Sequence, residues 1–359
     1  MRCYCVLHHG QPLELVERPT PQPQGTELLV KVQAAGLCHT DLHLWEGHYD
    51  LGGGKKLALA DRGIKPPLTL SHEVVGDVVG AGDEALALLG GPSGLAGLAG
   101  RPMLVHPWIG CGDCAACRRG EENICIKPQS LGVVRPGGFA EYLIVPHPRY
   151  LVEIDGLDAA EAAPLACAGV TTFSALRKFG QRIVDDPLVI IGAGGLGLMA
   201  IRVLAALGGR GAVVVDIDPA KRAAAMDAGA LAVVDAKAAD AVQQIQQATD
   251  GGARAVLDLV GATPTVGLAI AACARGGHVV VCGLMGGDIT LSLPVIPMRP
   301  LTLQGSYVGT LAELRELVAL VQRTHMAPIP VTRRPLAEAN DAMQELIAGR
   351  VVGRTVLIP

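Results

Sequence analysis

PLVIIGAGGLGLMAIRVLAALG, residues Pro187 to Gly208, reads as a strand, a glycine turn and a helix in direct succession. Its opening residues are apolar without a break, as in a strand covered on both faces of a parallel sheet. Gly192-Ala193-Gly194-Gly195-Leu196-Gly197 then fits the order G-x-G-x-x-G, and the stretch 196–208 continues as a helix stopped by Gly208 and Gly209. Such a glycine pattern is weak alone and specific between a strand and a helix. Gly192 permits the tight turn, Gly194 lets backbone approach a pyrophosphate, and Gly197 lets helix and strand pack closely. The helix start, with Gly195 and Leu196, turns free N–H groups towards the phosphates. A second strand over 211–217 carries Asp216, whose carboxylate can accept from both ribose hydroxyls and repels a 2′-phosphate, favouring NAD over NADP. Ile217-Asp218-Pro219 supply no arginine clamp, and Lys221 reaches the ribose edge. The rhythm goes on with a helix opened by Pro219, strands near 230–234, 255–260 and 277–283, and helices near 240–248 and 264–274. Strands alternating with helices predict an α/β fold with a doubly wound parallel sheet.

Outward from this core the texture changes. Residues 1–150 read as short strands broken by Pro and Gly, with long irregular stretches at Gly47–Pro67 and Gly90–Gly100. After about Gly305 one amphipathic stretch, TLAELRELVALVQR, precedes a short tail. The chain of 359 residues has room for two domains, and half of its residues are hydrophobic, enough for a large core. A net charge of −4 offers no basic field to nucleic acid or to an anionic membrane. No run is long enough for a signal peptide or a membrane span, so a cytoplasmic protein is expected. There the 10 cysteines point to metal ligands and buried thiols, not disulfides.

Four of them, Cys111, Cys114, Cys117 and Cys125, fall in GCGDCAACRRGEENIC with the spacing C-x2-C-x2-C-x7-C. Four thiolates so close in sequence can enclose one tetrahedral Zn²⁺ and leave no open position, the pattern of a structural site. Cys38, His72 and Cys167 would form a Cys₂His set whose fourth position stays free for water or substrate. Such a site suits alcohol oxidation, because zinc lowers the pKa of a bound hydroxyl and the alkoxide then yields its hydride to nicotinamide. Thr40 and His43 are the residue types of a hydroxyl-to-imidazole proton relay. Asp41 and Glu73 are placed to orient the ligands, and Glu73 to approach the metal. Trp45 and Trp108 are candidate apolar walls, with Leu284, Met285 and Met298 adding surface. Cys3, Cys5, Cys273 and Cys282 are expected to be buried small hydrophobes.

With GLCHTDLHLWEG (36–47), SHEVVGDVVGAG (71–82), the four-cysteine loop, GGFAEY (137–142), PLACAGVTTF (164–173), VVVDIDPAKR (213–222) and VVGRTVLIP (351–359) in this order, the chain resembles the zinc-containing medium-chain alcohol dehydrogenases over its whole length. The resemblance implies a GroES-like β-rich catalytic domain, 1–155 and 308–359, holding both zinc sites, and a Rossmann NAD-binding domain, 156–307. It implies two zinc ions per chain. It carries the roles above over to the same residues. It adds His39 and Arg354 at the pyrophosphate, Thr171 or Thr172 beside the nicotinamide, and Val308 at its carboxamide. The expected substrates are medium-chain or aromatic alcohols and the matching aldehydes or ketones. A homo-oligomer is also implied, a tetramer before a dimer. A polyol or sugar dehydrogenase, a zinc-free quinone or enoyl reductase, and an inactive relative are the alternatives. Ser71 stands where the family usually has Gly, and a local backbone adjustment is expected there.

Overall fold

The computed structural model describes all 359 residues. Six parallel strands lie in the spatial order Ala232–Asp235, Ala212–Asp216, Leu188–Ile191, Ala253–Asp258, Cys273–Val281, Thr302–Gly305. In chain order these are the third, second, first, fourth, fifth and sixth. The winding therefore reverses between Leu188–Ile191 and Ala253–Asp258, where such sheets take ligands beyond their carboxyl ends. All four residues of Leu188–Ile191 are buried, as their unbroken apolar character requires. The last strand, Thr302–Gly305, was not among the expected strands, and its four residues are all exposed at the sheet's edge.

The other large sheet has seven strands. Leu28–Gly36 lies at its centre, antiparallel to Glu73–Ala81 on one side and to the C-terminal strand Arg354–Ile358 on the other. The chain end therefore returns to its first third, and Val356 pairs with Gly36. The helix Leu311–Thr324 starts at Thr310, whose hydroxyl caps Glu313 N–H while the Glu313 carboxylate reaches back. It buries Leu314, Leu317, Val318 and Val321 and packs on the helices Ala168–Arg177 and Gly195–Ala206.

The irregular stretch after Gly47 holds a small hairpin, His48–Asp50 with Lys56–Ala58, and a tight turn, Leu59–Arg62. The hairpin tip rests backbone to backbone on the loop Gly286–Asp288, which follows the fifth parallel strand. A Cβ on Gly52 would lie 2.6 Å from the Asp288 nitrogen, and one on Gly286 would lie 2.7 Å from the Asp50 carbonyl oxygen. The stretch Gly90–Gly100 contains a short helix, Pro92–Ala96, that buries none of its residues. No single helix is long and apolar enough to cross a membrane.

Candidate functional site

The helix His39–Glu46 begins on Cys38 and is closed by Gly47 at φ 81°. Its start is fixed by Asp41, which is fully buried and whose two oxygens accept Cys38 N–H at 2.8 Å and Ser71 N–H at 2.9 Å. One carboxylate thus ties the turn that carries Cys38 to the residue preceding His72. Burial pushes the Asp41 carboxyl up to about 6. Ser71 stands at a left-handed φ of 71°, the region that glycine adopts freely. Its hydroxyl donates to the Gly36 carbonyl at 2.9 Å, and this bond together with the Asp41 contact offsets the strain.

Four ligand-type side chains meet beside this turn. One ligand atom each from Cys38, His72, Glu73 and Cys167 lies within 4.8 Å of the others, and all four residues are buried. The two sulfurs are 3.9 Å apart, and neither ring nitrogen of His72 has a hydrogen-bond partner. A zinc tetrahedron with sulfur at about 2.3 Å has edges of about 3.8 Å, so the spacing and the orphaned imidazole fit this metal. The hydrogen bond from Cys167 draws the Cys38 thiol well below its ordinary range. Glu73 opens its strand opposite Gly36, where a Cβ would fall 2.2 Å from the Glu73 carboxylate, so only glycine lets this side chain lie across the strand. Burial pushes the Glu73 carboxyl up to about 7, while its ion pair with Arg354 at 2.8 Å pulls the other way.

A cleft of about 460 Å³ runs from this cluster along the carboxyl ends of the parallel strands. Cys38, His39, Thr40, His43, Cys167, Thr171, Gly192, Gly194, Gly195, Leu196, Gly197, Asp216, Lys221, Val308 and Arg354 all line it. Residues 39 and 43 are one helical turn apart and share a face. His43 lies with its ring centroid 4.6 Å from that of Tyr49, and burial lowers its pKa. At the glycine turn, a Cβ on Gly197 would sit 2.0 Å from the Gly192 carbonyl oxygen, whereas the space beside Gly194 is open. Asp216 accepts Ala193 N–H at 2.7 Å and Asp218 N–H at 2.8 Å, one on each carboxylate oxygen. Arg354 is buried behind the helix start, its guanidinium 3.4 Å from where a Gly195 Cβ would be.

Cys111, Cys114, Cys117 and Cys125 form a second group outside the cleft. Their sulfurs stand 3.5 Å (Cys114–Cys117), 3.8 Å (Cys114–Cys125) and 4.0 Å (Cys111–Cys117) apart, again close to the edge of a zinc–sulfur tetrahedron. Backbone N–H groups of Cys111 and Lys127 donate to the Cys125 sulfur at 3.2 and 3.3 Å.

Some expected residues lie elsewhere. Trp45 is two positions beyond His43, about 200° round the helix, and faces away from the cleft. Its indole N–H donates to the Gln11 carbonyl at 2.6 Å, and the ring packs on the core of the first domain. Met298 is 68% exposed and does not line the cleft, whereas Leu284 and Met285 do. Thr172 turns its hydroxyl to the Ala168 and Gly169 carbonyls, leaving Thr171 as the cleft residue of the pair. Cys282 is only partly buried and lines the cleft, unlike the buried Cys3, Cys5 and Cys273. Trp108 does line the cleft, fixed by its N–H bond to the Ala166 carbonyl at 3.0 Å beside Cys167. Tyr49 and Tyr307 complete the aromatic wall and were missed in the sequence. The capping Gly47 was the available signal for Tyr49, since it turns the chain back along the helix it ends.

Residues 24–156 match the alcohol dehydrogenase GroES-like domain and residues 195–323 the zinc-binding dehydrogenase domain. An NAD-dependent alcohol dehydrogenase of Sulfurisphaera tokodaii is 38% identical, the match covering all of both chains. D-arabinose 1-dehydrogenase (NADP(+)) of Saccharolobus solfataricus is 32% identical over 98% of this chain and 95% of its own. The crystal structure of the alcohol dehydrogenase from Aeropyrum pernix superposes with a TM-score of 0.87 at 30% identity, covering both chains fully. With two zinc-sized cysteine sites, a nucleotide cleft joining one of them, and likeness over its full length, the chain belongs to the zinc-dependent medium-chain alcohol dehydrogenase family.

Proposed function

We propose that the protein is an NAD-dependent alcohol dehydrogenase acting reversibly on medium-chain or aromatic alcohols and the corresponding aldehydes or ketones. The observation that carries this is that Cys38 and Cys167, which cluster with the buried His72, line the same cleft as the glycine turn and Asp216. Cys38, His72 and Cys167 would hold the catalytic zinc, with Glu73 within reach, and Cys111, Cys114, Cys117 and Cys125 a structural one. When bound, the metal supplies Lewis acidity that lowers an alcohol's pKa, and the nicotinamide supplies the hydride acceptor. Thr40 and His43 pass the hydroxyl proton outwards. Burial keeps His43 neutral and able to accept it. Asp41 holds Cys38 and the His72 turn in register, and Glu73 and Arg354 keep each other's charge satisfied behind the cluster. Arg354 is the cation for the pyrophosphate and Lys221 the one at the ribose edge, His39, whose pKa burial lowers, meets the pyrophosphate as a neutral N–H donor, and Thr171 and Val308 flank the nicotinamide. Asp216 retains free lone pairs for two ribose hydroxyls. Trp108, Tyr49, Tyr307, Leu284 and Met285 present an apolar wall to the substrate.

The domain division proposed remains 1–155 with 308–359, and 156–307. The helix Leu311–Thr324 nonetheless lies on the helices of the second part. The protein is further proposed to be cytoplasmic and a homo-oligomer, a tetramer before a dimer. In support of assembly, the edge strand Thr302–Gly305 is exposed, and Leu293 and Met298 before it are 77% and 68% exposed. Oxidation of a sugar is the second reading, raised by the arabinose dehydrogenase relative. The apolar wall and Asp216 favour the first.

The test is NADH formation by zinc-replete protein on a panel of apolar alcohols, polyols and sugars, with NADP run in parallel. Turnover of apolar alcohols with NAD is expected. Cys38→Ala should abolish it while NADH binding, followed by nicotinamide fluorescence, stays close to wild type. Normal turnover in that variant would sink the zinc assignment, and activity confined to sugars would replace the first reading by the second.

A further inference from the structure

Asn123 stands in the short turn Glu122–Ile124, just before Cys125 in the four-cysteine lobe. Its side chain leaves the lobe. Nδ2 donates to the backbone carbonyl of Tyr307, 184 residues further along the chain, at 3.0 Å. Tyr307 and its neighbours Ser306 and Val308 line the cleft. This segment does not hold its shape unaided. Val308 is β-branched and sits at φ 40°, a conformation that such a residue keeps only when its surroundings over-determine it.

The surroundings can be named. Ser306 N–H donates to the Val281 carbonyl at 2.9 Å on the sheet side. Gly309 lies against Val170, where a Cβ would come within 2.5 Å of its side chain. The Tyr307 ring meets Trp108 edge-on with centroids 6.2 Å apart. Asn123 supplies the hold from the side of the lobe. The turn that carries it is itself anchored: its neighbour Glu122 is buried, accepts Gly110 N–H at 2.9 Å and Tyr150 O–H at 2.8 Å, and pairs with Arg149 at 3.0 Å.

We propose that Asn123 is a positioning residue that carries the rigidity of the four-cysteine lobe into the Tyr307–Val308 segment and so fixes the nicotinamide side of the cleft. The inference rests on the reading in which Val308 meets the cofactor. The lobe then does more than stabilise its own loop: it sets the register of the cofactor against the Cys38–His72–Cys167 cluster.

The experiment compares Asn123→Ala, Asn123→Asp and Asn123→Gln by NADH titration, kcat and KM for NAD, zinc content and melting temperature. Ala and Asp both lose the donor to the Tyr307 carbonyl. Each should weaken NADH binding about fivefold, the worth of one hydrogen bond, and raise KM for NAD in parallel, with zinc content unchanged. Gln keeps an N–H₂ donor on a longer stem and should recover part of the loss. Wild-type NADH affinity in Asn123→Ala would overturn the proposal. So would a loss that accompanies zinc release and is not recovered by Gln. Val308→Pro separates the two readings, because a proline φ near −65° cannot occupy this position. If Val308→Pro binds NADH normally, the segment is not the cofactor wall. If it binds weakly while Asn123→Ala binds normally, only the role of Asn123 fails.

Discussion

Asp41 shows how much one buried carboxylate can organise. Its oxygens satisfy the N–H groups of Cys38 and Ser71, residues from different segments that must meet for Cys38 and His72 to face each other. Asp41→Ala leaves both donors buried without an acceptor, which should cost about 2–4 kcal/mol and lower the zinc content. Thermal unfolding and metal analysis of the same preparation check this, and a stable variant with full zinc would refute it. His106 makes a prediction of the opposite kind. It is fully buried, neither ring nitrogen has a partner, and burial lowers its pKa from 6.5 to about 3. The unfolded chain takes up a proton below pH 6.5 that the folded chain refuses. The neutral residue's contribution is therefore present above that pH and is lost as pH falls towards 3. Between pH 7 and pH 5 the loss should be about 2 kcal/mol. His106→Leu should show a shallower fall of stability over that range in denaturant titrations. Equal slopes in the two proteins would show that another group carries the acid sensitivity.

At the scale of elements, the glycine turn was the most legible part. Its residues act through backbone, so type and spacing alone decide what fits. Gly197→Ala would drive a methyl group to 2.0 Å from the Gly192 carbonyl oxygen, separating helix from strand where the pyrophosphate is expected to sit. NADH affinity should fall by a factor of ten or more, about 1.4 kcal/mol, with the cysteine lobe still metallated. Calorimetric titration checks it, and an unchanged affinity would mean that the turn does not receive the phosphates. The helix His39–Glu46 was less legible. Cys38, His39, Thr40 and His43 are legible as chemical types, whereas residue type does not show that Trp45, about 200° round the helix from His43, faces away from the cleft. Tyr49 and Tyr307 escaped because their place depends on a hairpin and on a strained turn that no periodicity announces. Ser71 hid a left-handed conformation that only glycine advertises in a sequence.

For the molecule as a whole, the alternation of strands and helices was enough to foresee the parallel sheet, whereas the two ends of the chain gave less. The return of Arg354–Ile358 to the central strand Leu28–Gly36 is a long-range pairing with no local signature. It brings Arg354 into the cleft wall, between Glu73 and the Gly195 turn. The exposed edge strand makes a prediction at this scale. On the proposed homo-oligomer, Leu303→Pro removes a backbone donor from Thr302–Gly305 and should give a smaller mass in light scattering with the circular dichroism retained. An unchanged mass would remove this strand from the proposed assembly.

The hairpin tip at Gly52 and the loop at Gly286 touch through bare backbone. The gap between hairpin and loop is therefore gauged, at that corner, by glycine hydrogens, Gly52 against the Asp288 nitrogen and Gly286 against the Asp50 carbonyl. A single methyl at either position would act as a shim, prising the hairpin that carries Tyr49 away from the loop. The spacing at that corner is written in two residues that have no side chain.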